Sequence, residues 1–199
     1  MTIFDNYKHE NNIKIHPSSK ISPDVTVSIT GSGHTIEIGE NTVLRNLKIN
    51  ISGKNNFLVI KDNCSIRGTL HLRQTGSKIT INSFTTTVSS HIFSMEGSDI
   101  SIGTNCMLSS GVFIRNSDEH PIYDIETNER MNNAQAVIVG NNVWIGEGAT
   151  VNKGSAIPDG CIIGAKSFVS KKLKRKNAVY VGVPVQLIRE SVKWERTFR

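Results

Sequence analysis

The amino-acid sequence predicts an all-β solenoid, on three grounds. Val139, Ile145, Val151, Ile157, Ile163 and Val169 fall six residues apart without a slip. Slender residues (Val143, Ala149, Ser155, Cys161 and Ser167) follow the first five at a constant offset of four. The composition is lean, with 37% apolar and 6% aromatic residues among 199. A thin solenoid needs little more, because each repeat buries small aliphatic side chains against its neighbours.

A period of six is neither helical nor that of a plain strand. It suits a short extended segment followed by a tight corner. The aliphatic residue fills the interior, and the slender one sits where the corner leaves little room. Gly140, Gly146 and Gly164 follow three of the anchors and permit corner backbone angles. Three such sides close one triangular turn, and stacked turns pair as parallel strands roughly 4.8 Å apart.

The pattern extends toward the N-terminus. Ile102, Leu108 and Ile114 repeat the spacing, as do Ile60, Ile66 and Leu72, and Ile38 and Leu44. Anchors Ile38, Ile60, Ile81 and Ile102 recur at 21 or 22 residues, which predicts turns with a few extra residues at one corner. Ile15, Ile21 and Val27 begin the stack. Cys64, Cys106 and Cys161 all fall on the small inward position, so they read as core thiols and not as metal ligands or disulfide partners. No metal site is expected.

One interruption is large. The segment between Ile114 and Val139 is polar, contains Pro121 and lacks anchors, which predicts an extruded loop over 115–136. After Val169 comes the basic run Lys171-Lys172-Leu173-Lys174-Arg175-Lys176, then Gly182-Val183-Pro184. Pro184 suits a helix start, and Leu187, Ile188 and Val192 offer an apolar face, so a short C-terminal α-helix is expected over 184–199. The domain reading is a solenoid over 1–183 with this tail.

The net charge of +6 favours phosphates or an acidic polymer as partner, although a basic run is also an ordinary solvated loop. No RNA-binding signature is present, so nucleic acid is not expected. No leader-like apolar segment and no stretch of about 20 apolar residues occurs, which reads as a cytoplasmic protein without a membrane span.

The repeat, the His120 loop, Asn142-Val143-Trp144-Ile145-Gly146 and Gly182-Val183-Pro184 together resemble the hexapeptide-repeat acyltransferases. The strings Ile114-Arg115-Asn116-Ser117-Asp118-Glu119-His120-Pro121-Ile122-Tyr123 and Ile162-Ile163-Gly164-Ala165-Lys166-Ser167 resemble, more narrowly, the O-acetyltransferases of bacterial capsular and polysialic acid polysaccharides. That resemblance implies a left-handed parallel β-helix, a homotrimer with sites between subunits, acetyl-CoA as donor, and a catalytic histidine at His120.

Acetyl transfer to a hydroxyl needs a base, a slot for the thioester and donors for the developing oxyanion. Imidazole titrates near neutrality, which suits His120 to the base. Asp118 and Asp124 are nearby and could orient it, and both are also ordinary turn formers. His91 is the main rival histidine. Trp144 occupies an outward hexad position. Subunit packing would explain it, and the resemblance implies that it lines the transfer site.

Gly146 and Gly164 are 18 apart and should stack, with Gly182 above them if the basic run keeps phase. Such a column would leave a groove for the cofactor beside Ala165 and Lys166. Lys171 and Lys172, with Lys153 18 residues before Lys171, could meet coenzyme A phosphates. The resemblance places Gly182 and Pro184 near the adenine end. The resemblance implies O-acetylation of a sugar hydroxyl in a bacterial surface polysaccharide, with a sialic-acid-containing capsule among the candidates. Acetylation of a free sugar, nucleotide sugar or small xenobiotic is the alternative, and a non-catalytic β-helical scaffold is the third reading.

Overall fold

The structure, a computed structural model, describes residues 3–197. The chain winds as a three-sided coil of parallel strands. One side is a seven-stranded sheet running from Asn12–Ile15 through Thr35–Ile38, Phe57–Ile60, Lys78–Ile81, Asp99–Ile102 and Val137–Val139 to Ala156–Ile157. The other two sides share a twelve-stranded sheet, because strands such as Ser65–Leu72 and Met107–Arg115 bend round the corner between them. We call the side holding Leu108 and Ile145 the first, that holding Ile114 and Val151 the second, and the seven-stranded sheet the third.

The hexad anchors form three interior columns. Ile15, Ile38, Ile60, Ile81, Ile102, Val139 and Ile157 stack on the third side. Ile21 pairs with Leu44 and Val27 with Ile49, so the stack begins where the pattern places it. The anchors from Ile36 to Val169 are buried in one continuous core. Phe4, fully buried beside the 3-10 turn Asp5–Tyr7, joins the N-terminal end of that core.

The earlier coils differ from the strict hexad at two corners. Leu70, rather than Leu72, stacks on Ile92, which stacks on Ile114. The corner between first and second sides is thus shortened, and the corner between second and third sides absorbs the extra residues. Leu72 is buried too, which is why spacing alone did not separate the pair. Gly68 sits at the shortened corner with φ +116, where a Cβ would lie 2.0 Å from the carbonyl oxygen of Ser90. Gly68→Ala should therefore cost about 3 kcal/mol, combining a left-handed backbone with a backbone clash. Denaturant unfolding checks this, and a loss below about 1 kcal/mol would contradict it.

All three thiols are free and buried. Each donates to a carbonyl of the next coil: Cys64 to Asn82 at 3.2 Å, Cys106 to Gly140 at 3.1 Å and Cys161 to Arg175 at 3.2 Å. Burial pushes the Cys64 and Cys106 thiols up to about 11, which keeps them protonated and unreactive.

The expected C-terminal helix does not form. Gln186–Arg189 is a strand antiparallel to Val179–Val181, reached through a cis Val183–Pro184 bond. The last coil leaves unpaired backbone groups on its open edge, and a returning strand satisfies them. A helix of this length is marginal alone. All four strand residues are exposed, so no apolar helical face gains a partner. Among the described residues no helix is long and apolar enough to cross a membrane.

Candidate active site

The extruded loop leaves the solenoid after Met107–Arg115 on the second side and returns at Val137–Val139 on the third. It is anchored at its own corner by charge pairs and buried amides. Asp118 meets the Lys153 ammonium at 2.5 Å. Arg130 meets Glu96 at 2.6 Å, and the Ser117 hydroxyl donates to the same carboxylate. Glu119 reaches Arg73 at 3.2 Å. Asn132, nearly buried, donates to Asp118 at 3.0 Å and to the His120 carbonyl at 2.8 Å, and accepts from the Ile122 N–H at 2.7 Å.

These bonds hold the His120 backbone and leave its side chain exposed. Among the described residues the imidazole has no hydrogen bond or ion pair. The two carboxylates expected beside it are engaged elsewhere. Asp118 serves Lys153 and Asn132, and Asp124 accepts from the Glu126 and Thr127 N–H groups and the Thr127 hydroxyl. The other histidines are more constrained. His34 is buried with both ring nitrogens bonded, to the Asn56 N–H and the Thr30 carbonyl. His71 and His91 lie in a ring cluster with Phe93.

The Lys153 ammonium holds the Asp118 carboxyl below the usual carboxylate range, and Arg130 does the same for Glu96. A depressed folded-state pKa contributes stability that is present above the unfolded value, roughly 4, and is lost as pH falls through the folded value. The loop should thus stay anchored at neutral pH and loosen only in acid. Limited proteolysis within 119–131 checks this: cleavage should accelerate below about pH 4, and Lys153→Met should bring faster cleavage at pH 7. Cleavage of that variant at the wild-type rate would remove Lys153 from the anchor.

Trp144 lies on the first side, paired with Met107 below and Ile162 above. It is partly exposed, and its N–H donates to the Ser109 hydroxyl at 3.2 Å. A corner of a triangular prism faces away from the opposite side. The His120 loop springs from the corner between second and third sides, whereas the strand of Trp144 lies on the first side.

The glycine column is shorter and tighter than expected. Gly146 and Gly164 do stack, and a Cβ on Gly146 would lie 2.7 Å from the Ala165 nitrogen, so the two corners are in close backbone contact. The next coil slips by one residue: Ile163 pairs with Tyr180, which places Val181 over Gly164. Gly182 instead turns the chain at φ +107, with its N–H bonded to the Ser167 hydroxyl at 3.0 Å. Ala165 and Lys166 are exposed beside this corner; the Lys166 N–H is bonded to Glu147, and among the described residues the Ala165 N–H is unbonded.

Lys153 and Lys171 do not form one cluster. Lys153 is half-buried in the loop anchor, and the last coil shortens so that Ala156 bridges to Lys172. Lys171 and Lys172 are exposed and border a hollow of about 310 Å³ at the C-terminal end, with Leu173, Tyr180 and Val185. Pro184 is exposed at the same end.

Three contributors escaped the sequence reading. Asn132 and Glu96 hold the loop, and Trp194 meets Trp144 at a tilt with ring centroids 6.2 Å apart. Nothing in their spacing marks them, since each acts across coils or from the tail.

No protein-family model matches the chain. It is 33% identical over 186 residues to a polysialic acid O-acetyltransferase of Neisseria meningitidis, covering 94% of this chain and 86% of that protein. Among solved structures it is similar to the polysialic acid O-acetyltransferase OatWY, with a TM-score of 0.92 and 34% identity over 95% of this chain and 89% of that one. The polySia-specific acetyltransferase NeuO gives a TM-score of 0.70 and 26% identity, over 95% and 90%.

Proposed function

We propose, from the premise that this chain belongs to the hexapeptide-repeat β-helix acyltransferases and is an O-acetyltransferase, that it acetylates a hydroxyl of a sialic-acid-containing surface polysaccharide with acetyl-CoA as donor. The similarity over nearly the whole chain to a polysialic acid O-acetyltransferase carries this reading. The basic excess of +6 suits an acidic polymer. The catalytic unit is the solenoid of 1–183 with its loop over 115–136, and 184–199 is a tail. The reaction belongs in the cytoplasm.

His120 is the base. One imidazole nitrogen takes the proton of the acceptor hydroxyl as its oxygen attacks the thioester carbonyl. The tetrahedral intermediate collapses with breakage of the C–S bond. The imidazolium returns its proton to the departing sulfur, so the enzyme ends as it began. No acyl-enzyme is required. Asp118 and Asp124 act on the loop: Asp124 accepts from its backbone, and Asp118 fixes Lys153 and the Asn132 amide that holds the His120 carbonyl.

Trp144 completes the site from a neighbouring subunit of a homotrimer. The origin of the His120 loop at one corner and the position of Trp144 on the opposite side support this reading. Its N–H is engaged with Ser109, so the indole contributes a wall and not a donor. The free Ala165 N–H offers a partner for the pantetheine carbonyls, with Lys166 beside it. Lys171 and Lys172 are uncommitted cations suited to the phosphates, near Gly182 and Pro184. Gly146 and Gly164 shape the corner that presents Ala165.

Thiol release from acetyl-CoA, measured with polysialic acid, with monosaccharides, with nucleotide sugars and without acceptor, tests the reading. Release with the polymer alone is expected. Release with free or nucleotide sugars would move the acceptor to a small molecule, and release with none would leave a non-catalytic scaffold.

A further inference from the structure

We infer that Trp194 and Arg196 are positioning residues for the transfer site, holding the Trp144 indole through a strap formed by the C-terminal tail. The inference rests on the reading that Trp144 lines that site.

The tail leaves its terminal strand at Arg189 and runs back along the corner between third and first sides. It is bonded at four coils. The Val192 N–H donates to the Asn177 carbonyl at 2.9 Å. The Trp194 N–H donates to the Asn142 carbonyl at 2.7 Å. Arg196 then spans two further coils, donating to Asn105 at 3.1 Å, Cys106 at 2.8 Å, Thr86 at 2.7 Å and Phe84 at 3.1 Å.

The strap places a buried aromatic, Trp194, beside the outward indole of Trp144. Trp194 is 8% exposed, and its ring lies 6.2 Å from that of Trp144 at 49°. Its hydrogen bond tethers Asn142, two residues before Trp144. The Arg196 guanidinium covers the Trp194 ring at 5.8 Å. Trp144 is thereby held on its N–H edge by Ser109 and on its ring by Trp194, with the remainder open.

A staple for the solenoid would not need this arrangement. The coils beneath the strap are already joined by their own strands and by the thiol–carbonyl bonds. Apolar Leu187 and Ile188 stay exposed nearby, so burial of apolar surface is not what directs the tail. A tilted aromatic contact does fix ring orientation. Displacement of a site wall by about 1 Å is enough to slow transfer up to a hundredfold.

The test measures kcat, KM and melting temperature for W194A, W194F, R196A and W144A. Trp144 and Trp194 are the only tryptophans, so emission from W194F and W194A reports Trp144 alone. W194A should lower kcat roughly tenfold with less than about a threefold change in KM for acetyl-CoA, and W194F should recover most of the loss. Acetyl-CoA should alter Trp144 emission in W194F and not in W194A. If W194A does not fold, R196A, which keeps both indoles, carries the same kcat criterion. A W194A kcat within twofold of wild type, a change confined to KM, or an equal loss in W194F overturns the inference. An inactive W144A beside a fully active W194A sinks the strap alone, whereas a fully active W144A sinks the placement of Trp144 on which it rests.

Discussion

His120→Ala should lower acetyl transfer by about a thousandfold while leaving the fold intact. The side chain is exposed and bonds nothing, so its removal should change unfolding free energy by no more than about 0.5 kcal/mol. The loop keeps its shape because Asn132 holds the His120 carbonyl and Lys153 holds Asp118. In the proposed mechanism, loss of the imidazole leaves the acceptor hydroxyl without its base and the departing thiolate without its proton source. Steady-state thiol release under saturating acetyl-CoA checks the prediction, with circular dichroism and thermal melting beside it. Turnover within tenfold of wild type in a folded variant would remove His120 from the mechanism. His91, partly exposed and on the second side below Phe113, would then be the residue to replace next.

The solenoid was legible because its physics is periodic. A large aliphatic residue every sixth position and a slender one at a fixed offset are demanded by a triangular coil, and Val139 to Val169 meet that demand without slips. Phase was lost where coils change length. Leu70 and Leu72 are both apolar and both buried, so only cross-coil pairing shows that Leu70 takes the anchor column. The basic run shortens the last coil, which sets Val181 and not Gly182 over Gly164 and separates Lys171 from Lys153. The tail was misread for a related reason. Its apolar spacing fits a helix, but the open edge of the last coil offered backbone partners that a sequence pattern does not display. At the site, His120 was visible as a histidine in the one large interruption. Asn132 and Glu96 were not, and Lys153 showed only as a cation in step with Lys171, since their roles on the loop exist only when coils and loop meet.

Two inactive variants, His120→Ala and Trp144→Ala, should restore one another when mixed. The loop bearing His120 leaves the corner opposite the side bearing Trp144, so the proposed site draws its two residues from two chains. In the proposed trimer each site would take His120 from one subunit and Trp144 from the next. A trimer assembled at random from equal amounts of the two variants would carry an intact pair in about one site in four. Unfolding and refolding the two together, or co-expressing them, should thus recover about a quarter of wild-type turnover. Mixing preformed trimers without exchange should recover nothing, which controls for activity carried by either variant alone. A refolded mixture that is trimeric yet inactive would mean that each site is built within one chain, and the loop would then have to swing around the prism to reach Trp144. The charge pairs from Glu119, Asp118 and Arg130 to the loop's own corner oppose such a swing. Complementation therefore tests the assembly and the placement of both residues at once, and its expected yield follows from symmetry without any assumption about the acceptor.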